Sequence, residues 1–290
     1  FGYGSVAIPL STMLWALWND YGDWQHGMLV PFIVAWLVYL DRHALARLPI
    51  SGSNLGIAGV VFALLLYWAG FRADIQYAGY LAFQILLASL VLWFLGWQWL
   101  KQLMFPLAFI IFMWPFLFLD SMVAFPLRLI MAEISYRFLD LVGLDVIKEG
   151  SGLVSAPDPE AGLAKGERFQ VDIADPCSGI RSLFALTMIT AVYAHLTLKT
   201  WWRKWILFLM AVPLAVAGNF FRILLLTFGT LAFGSEFAIG TIDHPSGFHM
   251  FAGFAVFAVA LAGMLGLGKL LRAGEPAARN PQPRTETQHE

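Results

Sequence analysis

Long apolar runs with almost no charge dominate this sequence, and they constrain its fold more than any other feature. Several of these runs approach or exceed the roughly 17 to 25 residues that a helix needs to cross a bilayer. Of the 290 residues, 59% are hydrophobic and only 13% are charged, whereas soluble domains carry about 25% charged residues. The sequence therefore predicts an all-α polytopic integral membrane protein. It excludes a soluble globular domain, a secreted disulfide scaffold and a disordered chain.

Polar breaks divide the apolar runs into about eight predicted transmembrane helices. These cover residues 3–18, 27–40, 54–71, 77–97, 103–119, 177–197, 205–220 and 247–270. The first run lacks the charged leader of a signal peptide, so we interpret it as a span. We predict a single transmembrane catalytic domain over residues 1–272. Residues 273–290 show no apolar periodicity and are predicted to form a disordered cytoplasmic tail.

Basic residues flank only some ends of the predicted spans. They are Arg42, Arg47, Lys101, Lys199, Arg203, Lys204, Lys269 and Arg272. Because cytoplasmic loops are enriched in lysine and arginine, we assign these ends to the cytoplasm. The opposite ends carry Asp20, Asp23, Asp74 and the acid-rich stretch 140–175, and we assign them to the outer face.

Two consecutive segments on the outer side are not simple apolar runs. Residues 120–142 mix apolar residues with two arginines and a glutamate. This pattern predicts an amphipathic helix on the outer membrane surface, with a tilted, charge-bearing span as the alternative. Residues 143–175 are rich in Gly, Pro and acidic residues and form a predicted extracytoplasmic insert. Its alternating piece RFQVDI (168–173) is compatible with a β-hairpin.

The single cysteine, Cys177, stands where a span is predicted to begin, in DPCSGIRSL. Asp175 is typical of a helix N-cap and Pro176 of the first helical position. A thiol in the first turn is close to the positive end of the helix, which favours the nucleophilic thiolate. Asp175 opposes this effect unless its carboxylate is engaged in capping. The alternative is that Cys177 is a small packing residue of a membrane helix.

Arg222 lies within the otherwise apolar stretch GNFFRILLL. An intramembrane arginine is costly unless it is paired or faces a wet cavity, so it marks a candidate functional site. From Lys204 to Asn219 a helix rises about 22 Å, which puts Arg222 near the outer boundary. We expect Gly218 and Asn219 to break the helix, and 223–235 to run along the interface. The alternative is an arginine that snorkels to the headgroups.

Three histidines belong to the predicted outer side: His26, His244 and His249. A neutral imidazole is the usual general acid or base for a thiol nucleophile. Cys177, Arg222 and His244 come from three spans and reach the same boundary, and this set suits acyl transfer. The thiolate attacks a peptide carbonyl, the guanidinium stabilises the thiolate or oxyanion, and the imidazole protonates the leaving amine. One cysteine and scattered histidines offer no metal-ligand spacing, and neither a metal nor a cofactor is predicted.

At these residues the sequence resembles the exosortase/archaeosortase family of polytopic membrane cysteine transpeptidases. Four blocks carry the resemblance, which extends over residues 24–265: WQHGMLVPFIVAWLVYLDR (24–42), DPCSGIRSL, GNFFRI and the histidine segment before the last span. The resemblance implies catalytic Cys177, Arg222 and a histidine.

Two histidines compete for the catalytic position that the resemblance implies. Family members usually show a histidine followed four residues later by glycine and then an aromatic residue, which His249 matches with Gly253 and Phe254. The expected distance from Arg222 favours His244. We therefore expect His244 to be catalytic, with His249 as the alternative because it lies more than a turn deeper in the span.

Further residues match the family pattern and are candidates for substrate binding: His26, Ser178, Gly179, Arg181 and Asn219. For His26, helix packing is an equal alternative. The resemblance implies that the substrates are secreted proteins that end in a short motif such as Pro-Glu-Pro, a transmembrane helix and a basic cluster. It also implies cleavage at the periplasmic face of the bacterial inner membrane and transfer of the protein to an envelope acceptor, often alongside exopolysaccharide production.

Two other functions remain open at this point. One is a cysteine protease at the membrane boundary that uses water as its acceptor. The other is a non-enzymatic transporter or assembly scaffold in which Arg222 occupies a polar cavity. The net charge of −1 and the lack of a basic stripe exclude a nucleic-acid partner.

Overall fold

The structure, a computed structural model, describes residues 15, 18–19, 22–115, 118, 122–123, 125–172, 180–240 and 246–274. The helices of this part are α1 (Val30–Leu40), α2 (Leu55–Arg72), α3 (Gln76–Phe94), α4 (Met104–Phe109), α5 (Phe125–Leu141), α6 (Ile180–Thr197), α7 (Trp201–Phe233) and α8 (Gly247–Ala273). Shorter pieces are the 3-10 helices Gly22–Leu29 and Ile110–Met113 and the helices Arg42–Leu45, Trp97–Gln102 and Ser235–Ala238.

Within the described residues, four helices are long and apolar enough to cross a membrane: α2, α3, α7 and α8. The other predicted spans with described residues appear as shorter apolar helices, namely Gln25–Leu40, Met104–Met113 and Leu183–Thr197. The predicted span 3–18 falls almost wholly outside the described residues. The chain is therefore a mostly helical, multi-pass membrane protein, and the count of eight spans stays a prediction.

The predicted span 103–119 is interrupted. Helix α4 passes into the 3-10 helix Ile110–Met113, and Trp114 then adopts an extended conformation with ψ of 133°. Pro115 follows directly, and a residue before proline is sterically pushed out of the helical region. The apolar run therefore does not continue as a helix through Trp114.

Helix α7 corrects the expected break at Gly218 and Asn219. It runs without interruption from Trp201 to Phe233, so residues 223–233 continue the span. At 1.5 Å per residue, its 33 residues extend about 50 Å. Gly218 lies against α8, where an added Cβ would be 3.0 Å from Val256 Cγ1. This glycine therefore allows close packing of two helices and does not end one.

The predicted insert 143–175 contains a three-stranded antiparallel sheet, whereas the sequence pattern predicts only a hairpin. Its strands are β1 (Val146–Glu149), β2 (Gly152–Ser155) and β3 (Gln170–Asp172), in the order β1-β2-β3. The hairpin is formed by β1 and β2, while RFQVDI supplies the third strand. A buried cluster joins the sheet to α5 and to the C-terminal half of α7, with Leu139, Leu153 and Ile223 fully buried.

Helix α5 carries two apolar faces and one polar face. Met131, Ala132, Ser135 and Leu139 are buried, whereas Ile130, Ile134, Phe138 and Leu141 are exposed. On the polar face, Glu133 pairs with Arg137 at 2.7 Å and with Lys148 of β1. Among the described helices, α5 is not one of those apolar enough to cross a membrane. This pattern favours the predicted helix at the membrane surface.

The basic ends of the helices meet at one end of the bundle, here called the inner end. Gln102 Nε2 donates to Asp41 Oδ2 at 3.0 Å, which joins the end of α1 to the start of α4. Lys204 Nζ donates to the His195 carbonyl at 3.4 Å, which joins α6 to α7. Arg203 donates to the carbonyls of Leu271 and Gly274 at the end of α8. This arrangement agrees with one shared side for the lysine- and arginine-rich ends.

Candidate functional site

Arg222 lies at the opposite end of the α7–α8 pair, here called the site end. At the inner end, Arg203 Nη1 donates to the Leu271 carbonyl at 2.8 Å, so the two helices run antiparallel. Residues 203 and 222 are separated by a helical rise of about 28 Å. The hydrocarbon core of a bilayer is about 30 Å thick. If the inner end lies at one membrane boundary, Arg222 lies close to the other.

Arg222 is hydrogen-bonded to His249. Its Nη2 lies 2.8 Å from His249 Nε2, and the histidine is only 3% exposed. A guanidinium has donors only, so Nε2 must be the acceptor. His249 is therefore neutral in this arrangement, with its proton on Nδ1. That Nδ1 is buried and has no partner among the described residues.

The start of α8 explains why His249 reaches Arg222. Ser246 is the N-cap, and its Oγ accepts a hydrogen bond from the His249 backbone N–H at 3.0 Å. The same hydroxyl donates to the Ala238 carbonyl at 3.0 Å, which ties the cap to the helix Ser235–Ala238. His249 thus lies in the first turn of α8. Its depth does not separate it from the arginine, contrary to the reason for preferring His244.

A small cavity lies beside the guanidinium, between α6, α7 and α8. Its volume is about 30 Å³, and its lining includes Leu186, Asn219, Arg222 and Gly253. A volume of this size has room for a water molecule. Asn219 is 8% exposed, and Arg222 Nε is buried with no partner in the described part of the chain. The polar wall of the cavity is thus formed by two side chains spaced three residues apart on α7.

Several predicted site residues cannot be placed relative to this pair. Cys177, Ser178, Gly179 and His244 lie outside the described residues. Arg181 belongs to the first turn of α6, whose backbone is described from Ile180 onward. Five residues further along α6, about one and a half turns, Leu186 lines the cavity beside Arg222. The helix that follows the cysteine therefore contributes to the wall of the site.

Comparison with known families identifies the chain. The family model described as transmembrane exosortase (Exosortase_EpsH) matches residues 18–266. The chain belongs to the transmembrane exosortase family. Comparisons with curated proteins and with solved structures find no match. Membership in this family implies a sorting-signal transpeptidase and suggests a cysteine enzyme.

The His-Gly block, His26 and Gly27, packs against α6 and the chain that follows α4. The His26 ring stacks on Phe184, with centroids 5.1 Å apart and planes inclined by 16°. Gly27 fits against the chain that follows α4, since an added Cβ would be 3.0 Å from the Met113 carbonyl oxygen. His26 thus contacts the first turns of α6, whereas Arg222 and His249 are held by α7 and α8.

Sequence reasoning missed the residues that hold the pair in place. Ser246 caps α8, and a serine directly before an apolar run is a recognisable N-cap signal. Phe248 lies against Gly229 of α7, where an added Cβ would be 2.6 Å from the ring. No sequence pattern points to this second contact, because it joins residues of two different helices. Among the described residues of the chain, no group of three or more His, Cys, Asp or Glu side chains has the geometry to hold a metal ion.

Proposed function

We propose that this exosortase-family chain is a cysteine transpeptidase that cleaves a C-terminal sorting signal at the outer face of the bacterial inner membrane. Cys177 is the nucleophile, Arg222 the electrostatic stabiliser and a histidine the general acid and base. The observation that carries the proposal is the Arg222–His249 hydrogen bond of 2.8 Å beside a cavity lined by α6.

Chain connectivity supports Cys177 as the third member of this site. It lies three positions before Ile180, the first residue of α6, and three residue steps of chain reach at most about 11 Å. Besides the His-Gly block, the family resemblance singles out a cysteine segment, an arginine segment and a histidine segment. The last two supply Arg222 and the histidine. The cysteine segment leads directly into the helix that lines the same cavity.

The geometry favours His249 over His244 as the catalytic histidine. His249 is the one described in contact with Arg222, and Gly253 and Phe254 follow it at the spacing that family members usually show. A matched pair of variants tests this choice. We expect His249→Ala to abolish processing and His244→Ala to retain most of it, and the reverse result would return the role to His244.

The proposed reaction runs through a thioester. The thiol proton of Cys177 passes to His249 Nε2 as Arg222 turns its Nη2–H towards the substrate carbonyl oxygen. Sulfur bonds to the carbonyl carbon, and the guanidinium stabilises the oxyanion. His249 then gives the proton to the nitrogen of the leaving peptide as the C–N bond breaks. An acceptor nucleophile loses its proton to the histidine, attacks the thioester and releases the cysteine.

The unused donors of Arg222 support this use of the guanidinium. Of its five N–H groups, the described residues engage one, and Arg222 makes no ion pair with any of them. A half-buried cation with free donors is suited to a charge that develops during reaction. Asn219, on the same face of α7, lines the cavity from the inner side. We propose that it contacts the substrate or a water molecule there.

Co-expression with a tripartite substrate tests the proposal. We expect the wild-type chain to shorten a reporter that ends in a Pro-Glu-Pro motif, a transmembrane helix and a basic cluster. Cys177→Ala should leave this reporter at full length, and Cys177→Ser is the conservative comparison. Unchanged processing with Cys177→Ala would overturn the enzyme and favour a transporter or scaffold that uses Arg222 to bind an anionic solute.

The chemical state of the product separates transfer from hydrolysis. We expect mass spectrometry of the released protein to show an added acceptor at its new C-terminus. A free carboxylate in the presence of envelope extract would instead indicate a boundary protease with water as the acceptor.

A further inference from the structure

Two glycines on facing helices each pack against a side chain of the opposite helix. Gly229 of α7 lies against the Phe248 ring of α8, and Gly253 of α8 lies under the Arg222 guanidinium of α7. The Arg222–His249 hydrogen bond lies between these two contacts. We propose that Gly229 and Gly253 are positioning residues that hold Arg222 and His249 together, an inference that rests on the proposed function.

The contact at Gly229 controls the position of His249. An added Cβ at Gly229 would lie 2.6 Å from Phe248 Cε1 and 3.0 Å from its Cζ. Phe248 directly precedes His249 and also packs on Phe237, with ring centroids 5.6 Å apart. A methyl group at residue 229 must therefore move the ring, and because Phe237 also packs against the ring, we expect the displacement to reach the first turn of α8. A shift of about 1 Å in catalytic geometry can cost on the order of 100-fold in rate.

The contact at Gly253 controls the position of Arg222. An added Cβ would lie 3.4 Å from Nη2 and 3.5 Å from Cζ. An alanine is therefore accommodated with the guanidinium close to its present place, whereas a valine occupies the space of the guanidinium. Because Nη2 is the atom bonded to His249, displacing the end of Arg222 breaks the pair. The predicted effect thus grows with side-chain size at residue 253.

Two other glycines of α8, Gly266 and Gly268, supply controls. Gly266 faces open space, with no atom within 4 Å of an added Cβ. Gly268 is tightly packed against Tyr193 of α6, but it lies near the inner end of the helix. Gly266→Ala therefore controls for an alanine in α8. Gly268→Ala controls for the loss of a tight helix contact far from the pair.

Nitrogen-15 NMR of histidine-labelled protein in nanodiscs measures the pair directly. His249→Gln assigns the signals, which in the wild-type chain should show a protonated Nδ1 and an accepting Nε2. We expect Gly229→Ala and Gly253→Val to abolish this pattern, and Gly266→Ala and Gly268→Ala to keep it. Unchanged His249 signals in Gly229→Ala and Gly253→Val would overturn the inference.

A compensating substitution separates positioning from general packing. Phe248→Leu removes the ring atoms that an added Cβ at residue 229 would meet. We expect Gly229→Ala to lower processing of the tripartite substrate roughly 10- to 100-fold. The double variant Gly229→Ala/Phe248→Leu should restore both the NMR pattern and processing to within about threefold of Phe248→Leu alone. Failure of the double variant to recover the pattern would contradict the role of the ring.

The two readouts keep the two proposals apart. The His249 signals report the geometry of the pair whether or not the chain cleaves a substrate. If the glycine variants change the signals while Cys177→Ala leaves processing intact, the positioning role holds and the proposed enzyme fails. If Cys177→Ala abolishes processing while the glycine variants leave the signals unchanged, the enzyme holds and the positioning role fails.

Discussion

The guanidinium of Arg222 combines a charge with a planar set of five donors, and the proposed reaction uses both properties. One donor holds His249 in the resting site, and the others are available for an oxyanion. An ammonium is a point charge and does not reproduce this fork. We expect Arg222→Lys to lower the processing rate about 100-fold and Arg222→Gln about 1,000-fold, the range for a lost oxyanion donor. Arg272→Lys at the inner end is the matched control, and equal rates for all three variants would contradict the role of the fork.

Asn219 gives a prediction in which stability and activity change in opposite directions. Its side chain is buried at 8% exposure and makes no hydrogen bond with the described residues, although it lines the cavity beside Arg222. Burying a polar group that has no protein partner costs free energy, so we expect an apolar side chain of similar size at this position to be close to neutral or stabilising. We expect Asn219→Leu to keep or raise the Tm of the purified protein and to lower processing about 10-fold. A lower Tm with unchanged processing would instead assign Asn219 a structural role.

At the scale of elements, the sequence predicted helices where length and hydropathy alone decide. The runs 54–71 and 77–97 appear as α2, Leu55–Arg72, and α3, Gln76–Phe94. The interruption at Trp114 was readable from Pro115. Continuity of α7 through Gly218 was not, because it depends on Val256 of α8. Glycine has low helix propensity, but close helix packing overrides that preference in a membrane.

The link between α5 and β1 predicts a pH dependence of stability. Hydrogen bonds from Lys148 and then Arg137 hold the pKa of Glu133 below its ordinary value of 4.5. A carboxylate whose pKa is lowered by folding stabilises the folded state above its unfolded pKa, and this contribution is lost as the pH falls through the folded pKa. We expect Glu133→Gln to have a slightly lower Tm than the wild-type chain at about pH 6 to 7. The difference should disappear as the pH falls below 4.5.

Glu160 provides the control for this measurement. It is an exposed acid of the same insert and forms no ion pair with the described residues. The Tm of Glu160→Gln, measured in the same detergent as the Tm of Glu133→Gln, should equal that of the wild-type chain at each pH. A Tm difference for Glu133→Gln that grows on acidification would show that the ion pairs with Lys148 and Arg137 do not stabilise the insert.

At the scale of the whole molecule, the candidate site depends on the register of α7 and α8. The sequence singled out Arg222 and Asn219 because a charge or an amide is conspicuous in an apolar run. It favoured His244 with His249 as the alternative, because it could not show how the first turn of α8 meets α7. The start of α8 is set by Ser246, whose hydroxyl bridges the His249 N–H and the Ala238 carbonyl. Contacts between distant segments thus decide which side chains meet.

Arg222 lies about 28 Å along α7 from Arg203 at the inner end, and Cys177 is proposed to belong to the same site as Arg222. We therefore expect Cys177 to be accessible from the outer side. Cys177 is the single cysteine of the chain, so a membrane-impermeant maleimide reports it without ambiguity. We expect labelling in intact spheroplasts, and slower labelling in Arg222→Gln because the thiolate loses its neighbouring cation. In a Cys177→Ala background, Ala164→Cys of the insert should label in intact spheroplasts and Ala46→Cys at the inner end only after permeabilisation. If Cys177, like Ala46→Cys, labels only after permeabilisation, the assigned orientation is reversed and the sorting-signal site cannot face the envelope.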